Sequence, residues 1–571
     1  MSKDIEKREK LMKSKTEKIT DKRSLIIMFS IIIAFVLFCL TQPLYTDIDN
    51  YVMSAFVHGL YGEDNYCYYL NPLLCTIIKW LSFLLPLADN MILVFRTVVF
   101  WGFCVLLFLI FQTDVTPLQK MVRVLCLWML SAISVAANFT VVAAFACMTG
   151  TILIGYSIRK KWTGYGMLGI VFFSAGVMIR VNVGELFIPF VALNIFIIAL
   201  DNIPYVKKAL LWGVVFFVCI GIVMGINVYV SGSETYREYI RYNSARSDIL
   251  DYPVKEYDQV SEQLANEGIS ENEYWCLRGY IQFNTDLWTP SRLEKASDIV
   301  RDGNVYKDRP VTAFLGDIAK GLIQDRWIFV QMAGLTFFCI SIIKKKKKVY
   351  KLGSILVWTG TVSIILFFTF IGRCPIRLYQ AILYGAWGCI WTWNGLSDCK
   401  EQGIGKKYYY SGNVVLLAAA IAMMCDFVYV FPQNIFTANK GGDAYRSIEE
   451  ENKNVYIWNV SEYNTYMCKS YADKGKLPAK DFLQHNFPAG GWRYGQKSYY
   501  DFLEENEIDN LMDKLVNDKN FFVVGDEWTA ERVNNHIQEY WEEDGNLEKK
   551  NEIDGRGIWE YRKTTPEIYA E

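Results

Sequence analysis

Histidine is almost missing from this chain, with three in 571 residues, and no two of the 14 cysteines are spaced C-x-x-C. Familiar zinc-site spacings are therefore excluded. No P-loop and no G-x-S-x-G occurs, which leaves ATP-driven transport by this chain alone and α/β-hydrolase chemistry without support. A basic excess is lacking too. Lys and Arg number 59 against 60 Asp and Glu, for a net charge of −1, so a basic nucleic-acid binder is ruled out. Most cysteines (39, 104, 126, 147, 219, 339, 389 and 425) fall inside apolar runs, which excludes a disulfide-rich secreted scaffold. Internal repeats and low-complexity tracts are absent.

What is present is partitioned. Residues 1–24, 231–325 and 433–571 hold 86 of the 119 charged side chains, and the other 313 residues hold 33. Between those charges run apolar stretches of 17–22 residues, a length that matches a hydrocarbon core of roughly 30 Å at about 1.5 Å per helical residue. The sequence predicts a polytopic α-helical membrane protein with eleven spans: 25–41, 91–112, 121–136, 139–158, 163–179, 183–200, 209–230, 326–343, 351–371, 378–395 and 412–431. Lys and Arg in the connections set the orientation. With the N-terminus inside, the inner segments carry 25 basic residues and the short outer segments four (Lys79, Arg180, Arg373 and Arg377). The first span lacks a small-x-small cleavage site and reads as an uncleaved anchor. The run Lys344–Lys348 reads as a cytoplasmic flank that fixes topology rather than as a lipid-headgroup site.

The predicted organisation is a basic cytoplasmic tail, 1–24, then a membrane module, 25–432, and a small extracytoplasmic α/β domain, 433–571. Within the module lie a first outer loop, 42–90, and a mainly helical extracytoplasmic insertion, 231–325. The stretch 71–87 suits an amphipathic interfacial helix. Ser270-Glu-Asn-Glu273 is a capping box and Thr289-Pro290 a helix start. In the last domain, strands are expected at 455–460, 521–525 and 558–562, and helices at 499–506, 509–517 and 529–541. Gly164-x-Gly166-x-x-Gly169 matches a dinucleotide fingerprint in letters, but it lies in a span with no strand before it. Close helix packing explains it, and Gly221-x-x-x-Gly225 reads the same way.

The spans hold few ionisable groups: Arg96, Glu185 near an outer end, and Asp426 near another. An ion-coupled transporter needs such groups near the midplane. The topology instead gathers its polar residues at the outer surface. Asp47 and Asp49 follow the first span, Arg180 and Glu185 flank the turn between spans five and six, and Arg373 and Arg377 occupy the turn between spans nine and ten. Transfer of a sugar from a lipid phosphate needs a base for the acceptor proton and cations for the leaving phosphate. Carboxylates and guanidiniums at headgroup level meet both needs. His58, in His-Gly-Leu-Tyr-Gly62, is a second candidate proton carrier or binding residue. Each assignment has a plainer rival: helix capping for the acids, helix-end anchoring for the arginines, and a pair with Arg180 for Glu185. Arg246 and Asp251 are candidates to reach back over the cavity, with an internal salt bridge the plainer expectation. Gly490-Gly-Trp492-Arg493-Tyr494 is the most ligand-like stretch of the last domain.

Tyr45-Thr-Asp47-Ile-Asp49-Asn-Tyr-Val-Met53, soon after the first span, resembles the acidic first-loop motif of the GT-C membrane glycosyltransferases. The likeness extends in outline over 25–432, through the amphipathic stretch 71–87, the Arg180-x-x-x-x-Glu185 region and Gly372-Arg-Cys-Pro375. The resemblance implies a bacterial envelope enzyme with a polyprenyl-phosphate sugar donor and an active site on the outer face of the cytoplasmic membrane. The acceptor would be an envelope glycan or another exported molecule. It also implies a first-loop aspartate as base, or as ligand to a divalent cation such as Mg or Mn. Aligned on Tyr-Val-Met, Asp49 is the base and Asp47 its helper. Asn50 stands where many members have a second acid. Arg180, Arg373 and Arg377 then hold the donor phosphate, with Glu185 and His58 beside them. Two other readings remain: a non-catalytic scaffold of the same fold, and a carrier of lipid-linked oligosaccharide or small solutes.

Overall fold

The computed structural model describes residues 22–41, 48–60, 67–301, 310–395, 448, 453–463 and 485–564, less 87, 114, 116, 137, 161–162, 283, 285, 325, 346, 492–493 and 542–543. The expected span 412–431, and with it Asp426, lies outside them.

Ten helices stand where ten of the apolar runs are. They are α1 (Lys22–Thr41) and, after the short α2 (Ile48–Val57) and α3 (Pro72–Leu84), α4 (Asn90–Gln112), α5 (Pro117–Ala136), α6 (Phe139–Lys160), α7 (Thr163–Ile179), α8 (Val181–Asp201) and α9 (Ile203–Ser231). The insertion follows as α10 (Glu234–Leu250), α11 (Tyr257–Asn266), α12 (Glu271–Arg278), α13 (Pro290–Val300) and α14 (Val311–Gln324). The helical module resumes with α15 (Arg326–Lys345), α16 (Lys348–Phe370) and α17 (Ile376–Gly395). Among the described residues seven helices, α1, α4, α5, α6, α8, α9 and α16, are long and apolar enough to cross a membrane. The chain is a multi-pass membrane protein.

Helix α6 is the axis of the bundle, touched by α4, α5, α7, α8, α9 and α17. Its small residues allow this. A Cβ added at Gly150 would lie 2.6 Å from the Gly169 carbonyl of α7, and one at Gly176 would lie 2.7 Å from the Ala143 carbonyl. Gly166 sits against the Trp212 ring of α9. Thus Gly166 and Gly169 serve helix packing. Gly221 and Gly225 do not: nothing among the described residues lies within 4 Å of a Cβ added at either. Peripheral helices show the opposite pattern. Helix α1 leaves Ile26, Phe29, Leu37 and Leu40 exposed, as a helix bathed in lipid does.

Helix α3 occupies the apolar stretch of the first loop. Asn71 caps it by accepting from Leu73 N at 3.0 Å, and its Nδ2 donates to the Val223 carbonyl of α9 at 2.9 Å. Leu74, Cys75 and Ile78 are buried, while Ile77, Trp80 and Phe83 are exposed on the other face.

In the insertion the Ser270/Glu273 capping box forms, with Thr289 as the cap of α13. The C-terminal domain is a five-stranded sheet of β1 (Val455–Trp458), β2 (Asn486–Pro488), β3 (Phe521–Gly525), β4 (Gly545–Ile553) and β5 (Arg556–Lys563). The strand order is β2-β1-β3-β5-β4. β1 runs parallel to β2 and β3, and β5 runs antiparallel to β3 and β4. Helices α18 (Lys497–Glu505), α19 (Leu511–Asn517) and α20 (Glu527–Trp541) complete it. The sequence showed no sign of β2, which is three residues long, or of β4, whose polar residues hide its period.

Insertion and sheet domain are joined through polar contacts. Gln282 N donates to the Ala489 carbonyl at 2.6 Å, and Asn284 Nδ2 meets His536 Nε2 at 3.0 Å. A Cβ at Gly490 would lie 2.6 Å from the Tyr280 carbonyl. Gly490 of the ligand-like stretch is therefore part of the joint, where backbones approach closely. Trp492 and Arg493 lie outside the described residues, and Tyr494 is buried beside Tyr242 at 5.4 Å between ring centres.

Candidate functional site

Asp49 lies in the first turn of α2, where a carboxylate suits the positive end of the helix. The rotation of that helix is set one residue later. Asn50 is buried, and its Oδ1 accepts the backbone N–H of Phe139, the first residue of α6, at 3.1 Å. Tyr51, Met53, Ala55 and Phe56 are buried as well. Asp49 is left half-buried, facing Arg377 at the start of α17, with Oδ2 3.5 Å from Nη1. Asp47 lies outside the described residues.

Arg180 caps the start of α8 without a side-chain capping bond. Its Nη1 instead donates to Thr140 Oγ1 at 2.8 Å, and its guanidinium lies over the rings of Phe139 (4.6 Å) and Tyr69 (5.3 Å). Burial pushes its pKa down to about 10. The Arg377 and Arg373 guanidiniums push the same way, against Tyr69 and Asp49. It therefore remains charged at neutral pH, and the four ionisable neighbours belong to one electrostatic cluster.

Arg373 follows Gly372, whose φ of 75° turns the chain after α16. Its Nη2 reaches Asp251 Oδ2 at 2.9 Å and its Nη1 donates to Ser247 Oγ at 3.2 Å. Ser247 donates in turn to Asp251 at 2.6 Å, and the Tyr252 ring lies 4.8 Å from the guanidinium. The expected Arg246–Asp251 bridge does not form. Asp251 sits past the end of α10, five residues from Arg246, and binds the membrane module instead.

Glu185 and His58 stand apart. Five helical positions rotate a side chain by about 140° relative to the first, so Glu185 is exposed on α8. No ion pair joins it to Arg180 among the described residues. His58, just beyond α2, is engaged on both ring nitrogens, Nδ1 with the Ser54 carbonyl at 2.7 Å and Nε2 with Asn90 N at 3.2 Å. Those partners require a neutral ring with its proton on Nδ1, in keeping with a pKa lowered by burial. The imidazole thus ties α2 to α4.

Asp49 has guanidinium neighbours, Arg377 at 3.5 Å among them, and these oppose a divalent cation at its carboxylate. Among the described residues no group of three or more His, Cys, Asp or Glu could hold a metal. Cys276 and Cys374 are free thiols and Cys67 is buried, while Cys468 lies outside the described residues.

The far end of the bundle carries a different set of charges. Asp201, the last residue of α8, pairs with Lys347 at 2.8 Å and with Arg159 at 3.7 Å. Arg123 donates to Thr113 Oγ1 and to the Asn394 carbonyl, each at 3.2 Å. Two small cavities, of about 10 and 20 Å³, flank Arg123 and Trp391 there. Their lining is mostly apolar, and neither adjoins Asp49.

No protein-family model matches the chain, and no curated protein matches it. Among solved structures it is similar to the apo-state crystal structure of ArnT from Cupriavidus metallidurans. The alignment covers 94% of this chain and 97% of that one, at 9% identity and a TM-score of 0.38. A likeness that loose carries neither a residue nor an activity across.

Proposed function

We propose that the protein is a membrane glycosyltransferase of the GT-C type, taking its sugar from a polyprenyl-phosphate donor and passing it to an envelope glycan or other exported acceptor. One observation carries this reading: Asp49 faces Arg377 at 3.5 Å, within an electrostatic cluster that includes Arg180 and Arg373. A base beside convergent guanidiniums suits transfer away from a phosphate. The acceptor oxygen attacks the anomeric carbon and gives its proton to Asp49. The bond from that carbon to phosphate oxygen breaks, its electron pair leaves with the lipid phosphate, and the configuration inverts. Arg180, Arg373 and Arg377 hold that phosphate. Asp47 supports the base. The distribution of positive charge among the connections supports an outer-face position for this end of the bundle, with the sheet domain on the same side.

Asp49→Asn tests the mechanism. Purified variant and wild type are assayed against a panel of polyprenyl-phosphate sugars, with folding followed by thermal melting. The variant should lose transfer by at least about 100-fold at unchanged melting temperature. Full turnover in the variant would remove the mechanism. The second reading, a non-catalytic scaffold, draws support from Asn50, which replaces a second acid and spends its side chain on Phe139 N. It predicts that cells carrying only Asp49→Asn keep the phenotype of the wild-type gene.

A further inference from the structure

Helix α10 buries one face, made of Tyr239, Tyr242, Asn243, Arg246 and Ile249, at the three- and four-residue spacing of a helical stripe. Four of these have ready explanations in packing or hydrogen bonding. Tyr239 meets Tyr68 of the first loop at 5.9 Å, and Tyr242 bonds Gln282 at 3.1 Å. Arg246 is different. It is 4% exposed, yet its one hydrogen bond among the described residues runs from Nε to Asn243 Oδ1 at 2.9 Å. The two terminal nitrogens donate to no described group, and no described carboxylate pairs with them. A guanidinium almost enclosed by protein, with terminal nitrogens that have no counterion among the described residues, needs a reason.

Its position supplies one. The next residue, Ser247, is bonded by Arg373. The charge of Arg246 is felt at Tyr69 and Tyr280, the same two phenols that feel Asp49. The face of α10 that carries Arg246 also sets Tyr239 against Tyr68 of the first loop, so Arg246 lies on the side of the insertion turned toward Asp49, with its Nε held by Asn243.

We infer that Arg246 is a fourth phosphate-binding guanidinium, and that it serves the lipid phosphate as it leaves the sugar. This rests on the glycosyltransferase reading. The donor is a phosphodiester with one negative charge, and the departing lipid monophosphate approaches two. Once Asp49 has taken the acceptor proton, the guanidiniums of Arg180, Arg246, Arg373 and Arg377 outnumber the described carboxylate Asp251, and that positive excess suits the dianion. A cation matched to charge that develops during the reaction lowers the barrier more than it tightens donor binding. The insertion is then part of the active site and not merely a support for the sheet domain.

The test uses the full chain in phosphatidylcholine nanodiscs. A long-chain polyprenyl monophosphate is titrated, with the matching polyprenol and inorganic phosphate as controls. Arg246→Gln should weaken monophosphate binding by roughly 10- to 100-fold, the loss of one charge-assisted contact, with polyprenol unaffected. In transfer assays kcat should fall more than KM rises. Arg246→Lys, which keeps the charge but not the planar fork, should lose less affinity at an unchanged melting temperature, and it decides the matter if Arg246→Gln does not fold. Unchanged monophosphate affinity in the folded variants, alongside a loss in Arg377→Gln, would overturn the role of Arg246 and leave the glycosyltransferase reading standing. Wild-type protein that binds monophosphate no better than polyprenol would overturn both. Inorganic phosphate binding as tightly as the lipid, with the same dependence on Arg246, would overturn the lipid donor as the source of that phosphate.

Discussion

Asn50 Oδ1 accepts the Phe139 backbone N–H at 3.1 Å, and this bond locks the helix that carries Asp49 to the first turn of α6. A single buried side chain thereby aims the candidate base. Asn50→Ala leaves an N–H at the start of α6 without its partner, which costs about 1–3 kcal/mol. The melting temperature should drop by several degrees and transfer should fall, with donor affinity largely kept because the arginines stay in place. Thermal melting and steady-state kinetics check both.

Asp251 and Arg373 connect the insertion to the turn after α16. Both are partly exposed, so the pair should be modest. A double-mutant cycle with Asp251→Asn and Arg373→Gln should give a coupling of about 1 kcal/mol in thermal or denaturant unfolding. A coupling near zero would mean that Tyr252 and Ser247, not the ion pair, hold this turn.

Asp89 caps α4, accepting from Ile92 N at 3.0 Å and from Ser54 Oγ at 2.7 Å, and burial raises its pKa to about 6. The folded state therefore favours the protonated carboxyl. The associated stability is fully present below about pH 4 and is lost as pH rises through about 6. Between pH 5 and pH 7 wild-type protein should lose roughly 1–2 kcal/mol from this group, while Asp89→Asn should be flat over that range. Melting curves at several pH values separate the two.

Glycines in the bundle should divide sharply. Gly150→Val places side-chain carbons against the Gly169 carbonyl and should cost more than about 3 kcal/mol or prevent folding. Gly221→Leu and Gly225→Leu on α9 point away from every described neighbour and should leave yield and melting temperature unchanged.

Much of the architecture was legible because the membrane imposes a length. Ten helices coincide with ten apolar runs, and the caps at Ser270 and Thr289 form where hydroxyl spacing placed them. The site was less legible. A run of letters does not say how far round a helix a residue points, so Glu185 looked like a partner for Arg180 and is turned away from it. His58 looked like a free proton carrier, but its partners, the Ser54 carbonyl and Asn90 N, are backbone groups that no side-chain pattern reveals. Arg246 and Asp251 looked like a pair because they are close in sequence, whereas Arg246 lies on the buried face of α10, bonded to Asn243, and Asp251, just past the end of that helix, goes to Arg373.

Hydropathy and charge along the chain determined the membrane class, the number of long apolar segments and the separation of acidic from basic parts, since these depend on transfer free energies that add residue by residue. Tertiary structure alone decided which of the few charged side chains meet. That outcome depends on helix rotation and close approach, fixed here by Asn50 on Phe139 and by glycines between α6 and α7, and neither is a sum over the sequence.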